Sequence, residues 1–197
     1  ALYPPGLKAG LDQPDQMGIA WDENFNSWTG PFVMAAINTK VVRRSNALAG
    51  LPYGESFRYD ESQLCSGRLA ALTSSIAIGA IMGSALFRPT RAILKRFLPD
   101  PGEGPDAQAR ENGFFEFWAH GSAGAEGEHS LRVKVTGKRD PGYGATSRML
   151  AQAGLCLAQD DLAVEGGIWT PASALGDALV KRLAQVDVHF EVVESAL

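Results

Sequence analysis

The stretch that most constrains this chain lies at residues 138–150, where the patterns of a strand, a tight turn and a helix start meet within thirteen residues. Just before it, over residues 131–136, apolar and polar residues alternate, which is the period of a strand with one solvated face. The sequence Asp140-Pro141-Gly142 then turns the chain. Apolar residues at helical spacing follow from Ala145 to Leu157. The stretch therefore predicts a strand, a turn and a helix in direct succession.

The predicted turn is a candidate anion-binding corner. The first amides of the helix have no partner inside the helix, and Lys138, Arg139 and Arg148 lie near them in sequence. Tyr143 is the polar group of the turn that is best placed to reach a ligand, through its hydroxyl. The residues leave an alternative open, in which this is an ordinary strand-to-helix connection with solvated basic residues and a Tyr143 that packs on the sheet.

We expect three structural features at this corner. Gly142 or Gly144 adopts a backbone conformation that is costly for other residues. Tyr143 is partly exposed in a cleft. The helix that starts at about Ala145 points its N-terminus at that cleft.

The composition is that of a folded protein. With 197 residues, 45% of them hydrophobic and 20% charged, the chain can bury a core. The net charge of −4 and the absence of a long basic run argue against nucleic acid as a partner. Cys65 and Cys156 are isolated, which favours a reducing compartment such as the cytoplasm. The first residues lack a signal-peptide pattern and an initiator methionine, so we expect a processed chain or a piece of a longer one.

The order of the predicted elements indicates an α+β protein with an antiparallel or mixed sheet and helices packed on it. Strands at 114–120 and 130–135 form a hairpin. Thr170 caps a helix that begins at Pro171 and runs to about Gln185, and an alternating strand follows at 188–193. Residues 1–29, rich in Gly, Pro, Asp and Asn, predict an extended segment, and residues 30–197 a single domain.

Two further elements are predicted between residues 31 and 63. Asn38 or Thr39 caps a helix that ends near Gly50. Alternation over Glu55–Gln63 predicts a strand.

Residues 69–87 form a run of nineteen uncharged residues, a length that raises the question of a membrane span. Serine, threonine and glycine dilute its leucines and isoleucines, whereas the Gly79-x-x-x-Gly83 spacing and the basic residues beyond the run are typical of membrane-associated helices. We favour a buried, close-packed helix. The alternative is a peripheral helix that contacts a lipid surface; its basic residues are Arg88, Arg91, Lys95 and Arg96.

Established catalytic and metal-binding motifs are absent from the sequence. It contains no Walker loop, no Gly-x-Ser-x-Gly elbow and no His-Glu-x-x-His, and its three histidines are far apart. Gly102-x-Gly104-x-x-Ala107 matches the dinucleotide fingerprint in form, but Pro-Asp-Pro stands where a strand is required, and Glu103 and Asp106 place negative charge where a pyrophosphate would lie. The residues alone therefore predict neither a catalytic residue nor a metal site.

Four segments together resemble the C-terminal half of the saccharopine dehydrogenase-like oxidoreductases, especially the trans-acting enoyl reductase branch. They occur in the order of that family and cover most of the chain from about residue 30 onward. The segments are Pro31 to Asn46, Leu98 to Pro105, Asp140 to Thr146 and Gly166 to Ala172.

The resemblance implies a dehydrogenase C-terminal-domain-like fold and no Rossmann domain in this chain. It also implies that NAD or NADP serves the full-length enzyme while this chain alone binds neither. The partners it implies are the missing Rossmann domain, in the same or a separate chain, and a second copy in a homodimer. We expect Asp140, Gly142, Tyr143 and Thr146 to line the cleft that faces the missing domain, with the Thr170-Pro171 helix near it.

The function expected from the resemblance is that of the substrate-binding and dimerisation half of an NAD(P)-dependent reductase, acting on an acyl or lipid-like substrate and inactive without its Rossmann domain. With Arg139 and Arg148 from the anion corner added to the four cleft residues, the substrate-binding candidates number six. The alternative is a non-catalytic binding or scaffold module, associated with a lipid surface, because a fold does not determine a function.

Overall fold

The computed structural model describes residues 6, 10, 11, 13–86, 89, 90, 92, 102–124 and 128–196. The chain divides into two compact units, Ala1–Glu103 and Gly104–Leu197. The elements described in the first unit are β1 (Ala20–Asp22), β2 (Ser27–Pro31), α1 (Ala35–Leu48), β3 (Ser62–Cys65) and α2 (Arg68–Leu86). Those in the second unit are α3 (Ala107–Asn112), β4 (Phe114–Ala123), β5 (His129–Lys138), α4 (Gly144–Gln159), α5 (Pro171–Ala174), α6 (Gly176–Ala184) and β6 (Val188–Ala196).

The α+β prediction is confirmed, with two sheets where one was expected. Each sheet has three antiparallel strands, in the order β1-β2-β3 in the first unit and β4-β5-β6 in the second. The predicted extended segment 1–29 is part of the first sheet, because it contains β1 and because β2 continues past residue 29 to Pro31. The grouping of residues 30–197 in a single domain stays a prediction, as does the dehydrogenase C-terminal-domain fold.

In the first unit, α2 packs against β2 at a glycine. A Cβ atom added to Gly30 would lie 3.2 Å from the Ser74 hydroxyl and 3.5 Å from the Ala71 carbonyl oxygen, so the strand and the helix approach closely. Ala71 is fully buried there. The other side of α2 is exposed, with Leu69 74% and Ile76 62% accessible, so the prediction of a buried helix is wrong for that side.

Throughout the part of the chain that the structure describes, the helices fall short of the length and apolarity that a bilayer crossing requires. The end of the apolar run at Phe87 lies outside the described residues. So do the basic residues of the lipid-surface alternative, Arg88, Arg91, Lys95 and Arg96, and the first half of the Leu98–Pro105 segment.

A buried arginine organises the segment before β3. The Arg43 guanidinium, on α1, donates to the carbonyl oxygens of Gln13 at 3.1 Å and Tyr59 at 2.9 Å. The Gln13 side chain also donates to the Tyr59 carbonyl, at 3.0 Å. The last residue of β2, Pro31, pairs with Ser62, and the chain then enters α1, so the segment before Ser62 has no strand partner and β3 begins only there. The predicted strand Glu55–Gln63 is therefore wrong except at its last residues.

The helix predicted in this unit exists but begins earlier. α1 begins after Met34, whose side chain makes no capping hydrogen bond. Thr39, predicted as a cap, lies inside the helix and is buried, with its hydroxyl 2.7 Å from the Ala35 carbonyl oxygen and 2.8 Å from Asp15 Oδ1.

In the second unit, the predicted hairpin is confirmed as β4 and β5, and the closing strand as β6. In the core, α6 packs against α4 and β6, and the buried apolar side chains of this unit are Ala145, Cys156, Leu175, Leu183 and Val188. The ring of Phe115 lies directly over Gly137 across the hairpin, in the space that any side chain at that position would need.

The helix predicted from Pro171 to about Gln185 is divided. Thr170 caps α5 as expected, and a capping box joins it to Ser173. Gly176 then has φ +44°, a left-handed conformation that glycine adopts readily, which interrupts the helix between α5 and α6.

Candidate functional site

The turn between β5 and α4 is held by the Asp140 side chain. Asp140 Oδ1 accepts hydrogen bonds from the amides of Gly142 at 2.9 Å and Tyr143 at 3.1 Å, and Oδ2 accepts one from Gly144 at 2.7 Å. The hydrogen bond from the Gly144 amide is the largest effect on the pKa of Asp140 and lowers it. Burial acts in the opposite direction, and the Tyr143 and Gly142 amides and the charge of Arg110 lower the pKa further, so the net shift is downward. The carboxylate therefore occupies the N-terminus of α4, where an external anion was expected.

The glycines of this turn are needed for space rather than for an unusual backbone conformation. Positive φ occurs at Arg139, with φ 77°, and at neither Gly142 nor Gly144, so that expectation is wrong. A Cβ atom on Gly144 would lie 2.8 Å from the Arg110 carbonyl oxygen, and one on Gly142 would lie 3.0 Å from Asp140 Oδ1. A side chain at Gly144 would therefore clash with the backbone, whereas one at Gly142 would need only a small shift of the Asp140 carboxylate.

Each of the three predicted cations lies beside an acid. Arg139 is 4.0 Å from Glu111, and Lys138 and Arg148 are 3.2 and 3.7 Å from the two carboxylate oxygens of Asp187. Their positive charge is therefore directed at carboxylates of the same chain. The amides at the start of α4 are not free, because Asp140 accepts them, and the binding of an external anion at this corner stays a prediction.

Tyr143 and Thr146 complete the predicted cleft residues. Tyr143 is 60% exposed, which confirms its predicted exposure. Its ring lies next to Gly104: a Cβ atom added to Gly104 would be 3.5 Å from the ring. The Thr146 hydroxyl donates to the Pro141 carbonyl oxygen at 2.6 Å. The structure thus brings all six candidates together at one turn, and their role toward a substrate stays a prediction.

A groove that the sequence analysis did not single out lies at the other end of α4. We call it the α4–α5 groove. Its volume is about 580 Å³, and its walls are the last turns of α4, the loop 160–170 and α5. The side chains that line it are mainly apolar and include Ala153, Leu157, Leu162, Val164, Trp169 and Leu175. The Gly166–Ala172 segment, quoted above for its resemblance, contributes part of one wall, but its sequence alone did not indicate a groove.

An ion pair closes one side of the α4–α5 groove. Arg182 donates from Nε to Asp160 Oδ2 at 2.7 Å and from Nη2 to Asp160 Oδ1 at 2.6 Å, a two-point contact. The hydrogen bonds from Arg182, followed by one from the Cys156 thiol, lower the pKa of Asp160 to about 2. Burial, together with Asp160, raises the pKa of the Cys156 thiol. Asp160 is therefore a permanent anion neutralised by its partner at neutral pH.

Asp160 and Arg182 also line a second, smaller cavity of about 380 Å³, together with Lys181 and Gln185. Asp160 thus lines both the α4–α5 groove and this second cavity, and the second cavity also carries the cations Lys181 and Arg182. Sequence reasoning missed this pair because its members are 22 residues apart and follow no common period.

The residues nearest to a dinucleotide motif do not fit NAD or NADP. The motif requires a helix whose first amides hold the pyrophosphate. α3 has only six residues, and the Asp106 carboxylate already accepts the Ala109 amide at 2.7 Å. Among the residues that the structure describes, no cluster of histidine, cysteine or acidic side chains suits a metal ion.

Comparison with known proteins gives one consistent result. The chain is similar to trans-acting enoyl reductases. It is 40% identical over 174 residues to one from Mycobacterium ulcerans and 40% identical over 167 residues to one from Mycobacterium bovis. It is 38% identical over 179 residues, 86% of this chain, to a Mycobacterium tuberculosis protein provisionally assigned the same activity.

The similarity covers only part of those proteins. The matches span 79–86% of this chain but 39–42% of the relatives, so the chain spans about two fifths of the length of the curated relatives it matches. No family model matches the chain, and no solved structure matches it.

Proposed function

We propose that this chain is the substrate-binding part of a trans-acting enoyl reductase, an oxidoreductase that acts on an acyl substrate. The observation that carries the proposal is 38–40% identity to proteins of that name over about four fifths of the chain. Identity at this level, maintained over both units, favours a shared role more strongly than any single motif.

The proposal places the nicotinamide nucleotide outside these residues. About three fifths of each relative's length has no counterpart in this chain, which is enough for a Rossmann domain. The fingerprint-like glycines Gly102 and Gly104 do not fit a pyrophosphate. A separate nucleotide-binding domain, holding NAD or NADP, is thus the main partner that we propose. Homodimerisation and a cytoplasmic location are further parts of the proposal.

In this proposal, two surfaces of the second unit have different functions. The turn at residues 139–148 faces the nucleotide-binding domain, with exposed Tyr143 as its contact residue. The α4–α5 groove holds substrate. Asp140 maintains the turn through its three amide contacts rather than by touching substrate.

The decisive experiment is a chimera in which this chain replaces the matching segment of the Mycobacterium ulcerans relative. We expect it to oxidise NADH or NADPH in the presence of an enoyl thioester, measured by loss of nucleotide absorbance. The intact relative is the positive control, and the relative without the segment is the negative control. A folded chimera without activity, beside an active intact relative, would contradict the proposal.

Titration calorimetry tests whether the nucleotide binds outside this chain. We expect the isolated 197-residue chain to take up neither NADH nor NADPH. Micromolar affinity for either nucleotide would show that the chain holds its own cofactor site.

A non-catalytic binding or scaffold module is the second candidate. The observation that favours it is that Asp140, Arg148 and Thr146 all engage groups of their own chain. An inactive chimera that still retains acyl ligands would support this alternative.

A further inference from the structure

We propose that the α4–α5 groove binds the aliphatic chain of an acyl ligand, whose anionic head group lies beside Lys181, beyond the Asp160–Arg182 pair. This inference rests on the proposed function, because the acyl class of the ligand comes from it. It adds a location, an orientation and a set of residues that the similarity to relatives does not supply.

The size and lining of the groove carry the first part of the inference. Small-molecule sites enclose roughly 300–1,000 Å³ and are lined mainly by apolar groups. The groove, with about 580 Å³, falls within that range. Leu157 is 63% exposed and Trp169 37% exposed on its walls, so apolar area remains in water that an aliphatic chain would cover.

Hydrogen bonds within the chain hold two walls of the groove. Trp169 Nε1 donates to the Glu165 carbonyl oxygen at 2.9 Å, which holds the indole in place across the loop. The capping box of Thr170 and Ser173 fixes the start of α5. A pre-formed groove of this kind loses little conformational entropy when it binds.

The charges around the groove determine the orientation. Glu165 lines it together with Asp160, so an anionic head group inside the groove would meet two carboxylates. Arg182 neutralises Asp160 by its two-point contact, but Glu165 remains. The adjoining cavity shares Asp160 with the groove, but there two cations, Lys181 and Arg182, line the wall with it. An anionic head therefore lies there, and the uncharged chain lies in the groove.

The test uses the full 197-residue chain and saturated acyl-coenzyme A esters of eight, ten and twelve carbons, by titration calorimetry below their micelle concentrations. Each buried methylene contributes about 0.8 kcal/mol, so two added carbons raise affinity roughly tenfold until the groove is full. Coenzyme A without an acyl chain is the reference for head-group binding. Affinity that does not rise with chain length overturns the inference.

A matched pair of substitutions on α4 locates the aliphatic chain. Ala153 lines the groove, whereas Ala151, on the same helix, is exposed outside it. We expect Ala153→Phe to fill the groove and weaken ten-carbon binding at least tenfold, and Ala151→Phe to leave it unchanged. Equal effects of the two substitutions would show adsorption to an apolar surface elsewhere. If Ala153→Phe fails to fold, Leu157→Gln at an exposed wall position replaces it, with the same expectation of weaker binding.

Lys181→Glu tests the head group. It should weaken acyl-coenzyme A binding several-fold and leave the affinity for uncharged decanol unchanged, because only the ester carries an anionic head. An unchanged ester affinity would contradict the proposed orientation.

The assays separate the two proposals: an active chimera with no acyl binding by the groove overturns this inference alone, whereas chain-length-dependent binding with an inactive chimera overturns the reductase and retains the groove.

Discussion

The amide of Gly144 donates a 2.7 Å hydrogen bond to the carboxylate of Asp140, so the N-terminus of α4 is capped by a side chain four residues earlier. The amides of Gly142 and Tyr143 point to the same carboxylate. This contact makes the turn a rigid element between strand and helix. It also means that the chain supplies the negative charge that the helix end attracts.

Loss of this cap should lower stability without changing the fold. We expect Asp140→Ala to lower the melting temperature by roughly 3 °C, the usual cost of a lost N-terminal cap in a chain of this size. Asp161→Ala, at an exposed loop position, is the matched control and should leave the melting temperature unchanged. Scanning calorimetry measures the melting temperatures of both variants. Equal values would show that Asp140 does not stabilise the start of α4.

The Asp160–Arg182 pair should make stability depend on acid pH. The pKa of Asp160 is about 2 in the folded chain, against an ordinary 3.8, so the folded state binds fewer protons than the unfolded state in that interval. Its contribution is complete above about pH 4 and is lost as the pH falls toward 2. We expect the urea midpoints of wild type and Asp160→Asn to differ at about pH 5 and to converge near pH 2. A difference that stays constant with pH would contradict the ion pair as its source.

Two glycines of α4 should respond oppositely to the same substitution. A Cβ atom on Gly154 meets nothing within 4 Å, so Gly154→Ala should raise the free energy of unfolding by about 0.5–1 kcal/mol through helix propensity. A Cβ atom on Gly144 meets the Arg110 carbonyl oxygen at 2.8 Å, so Gly144→Ala should lower it. Denaturant titrations test both. A stabilised Gly144→Ala variant would show that the turn has more space than the structure indicates.

Tyr143→Phe should separate a ligand contact from a packing residue. The side chain is 60% exposed, so removal of the hydroxyl should leave the melting temperature nearly unchanged. In the active chimera, we expect lower turnover or weaker substrate affinity. A variant that melts several degrees lower with unchanged activity per folded molecule would identify Tyr143 as a packing residue.

The exposed side of α2 makes lipid binding testable. Its accessible side chains include Leu69, Ile76, Ile81 and Met82, and basic residues follow the helix in sequence. An apolar helix beside clustered cations suits an anionic membrane surface. We expect the chain to float with anionic liposomes at low salt and to lose this on Arg91→Glu with Lys95→Glu. A chain that stays in the dense fraction would end the lipid-surface alternative.

The local patterns of the sequence determined most of the elements of the second unit. Alternation over 131–136 predicted β5, apolar spacing from Ala145 predicted α4, and Thr170-Pro171 predicted the start of α5. These signals work because side-chain periods and caps act within a few residues. Where they failed, as at Glu55–Gln63, the partner strand β2 ended at Pro31, and the buried Arg43 side chain instead bound the Tyr59 carbonyl oxygen.

The arrangement of the candidate site was decided mainly by tertiary structure. The six turn candidates were foreseeable because they are neighbours in sequence, and even the Asp140 cap joins residues only four apart. The α4–α5 groove was not foreseeable, since its walls come from a helix, a loop and a second helix that only the folded chain brings together. Likewise, Asp160 and Arg182 meet only because α4 and α6 pack side by side, and no local pattern encodes a contact across 22 residues.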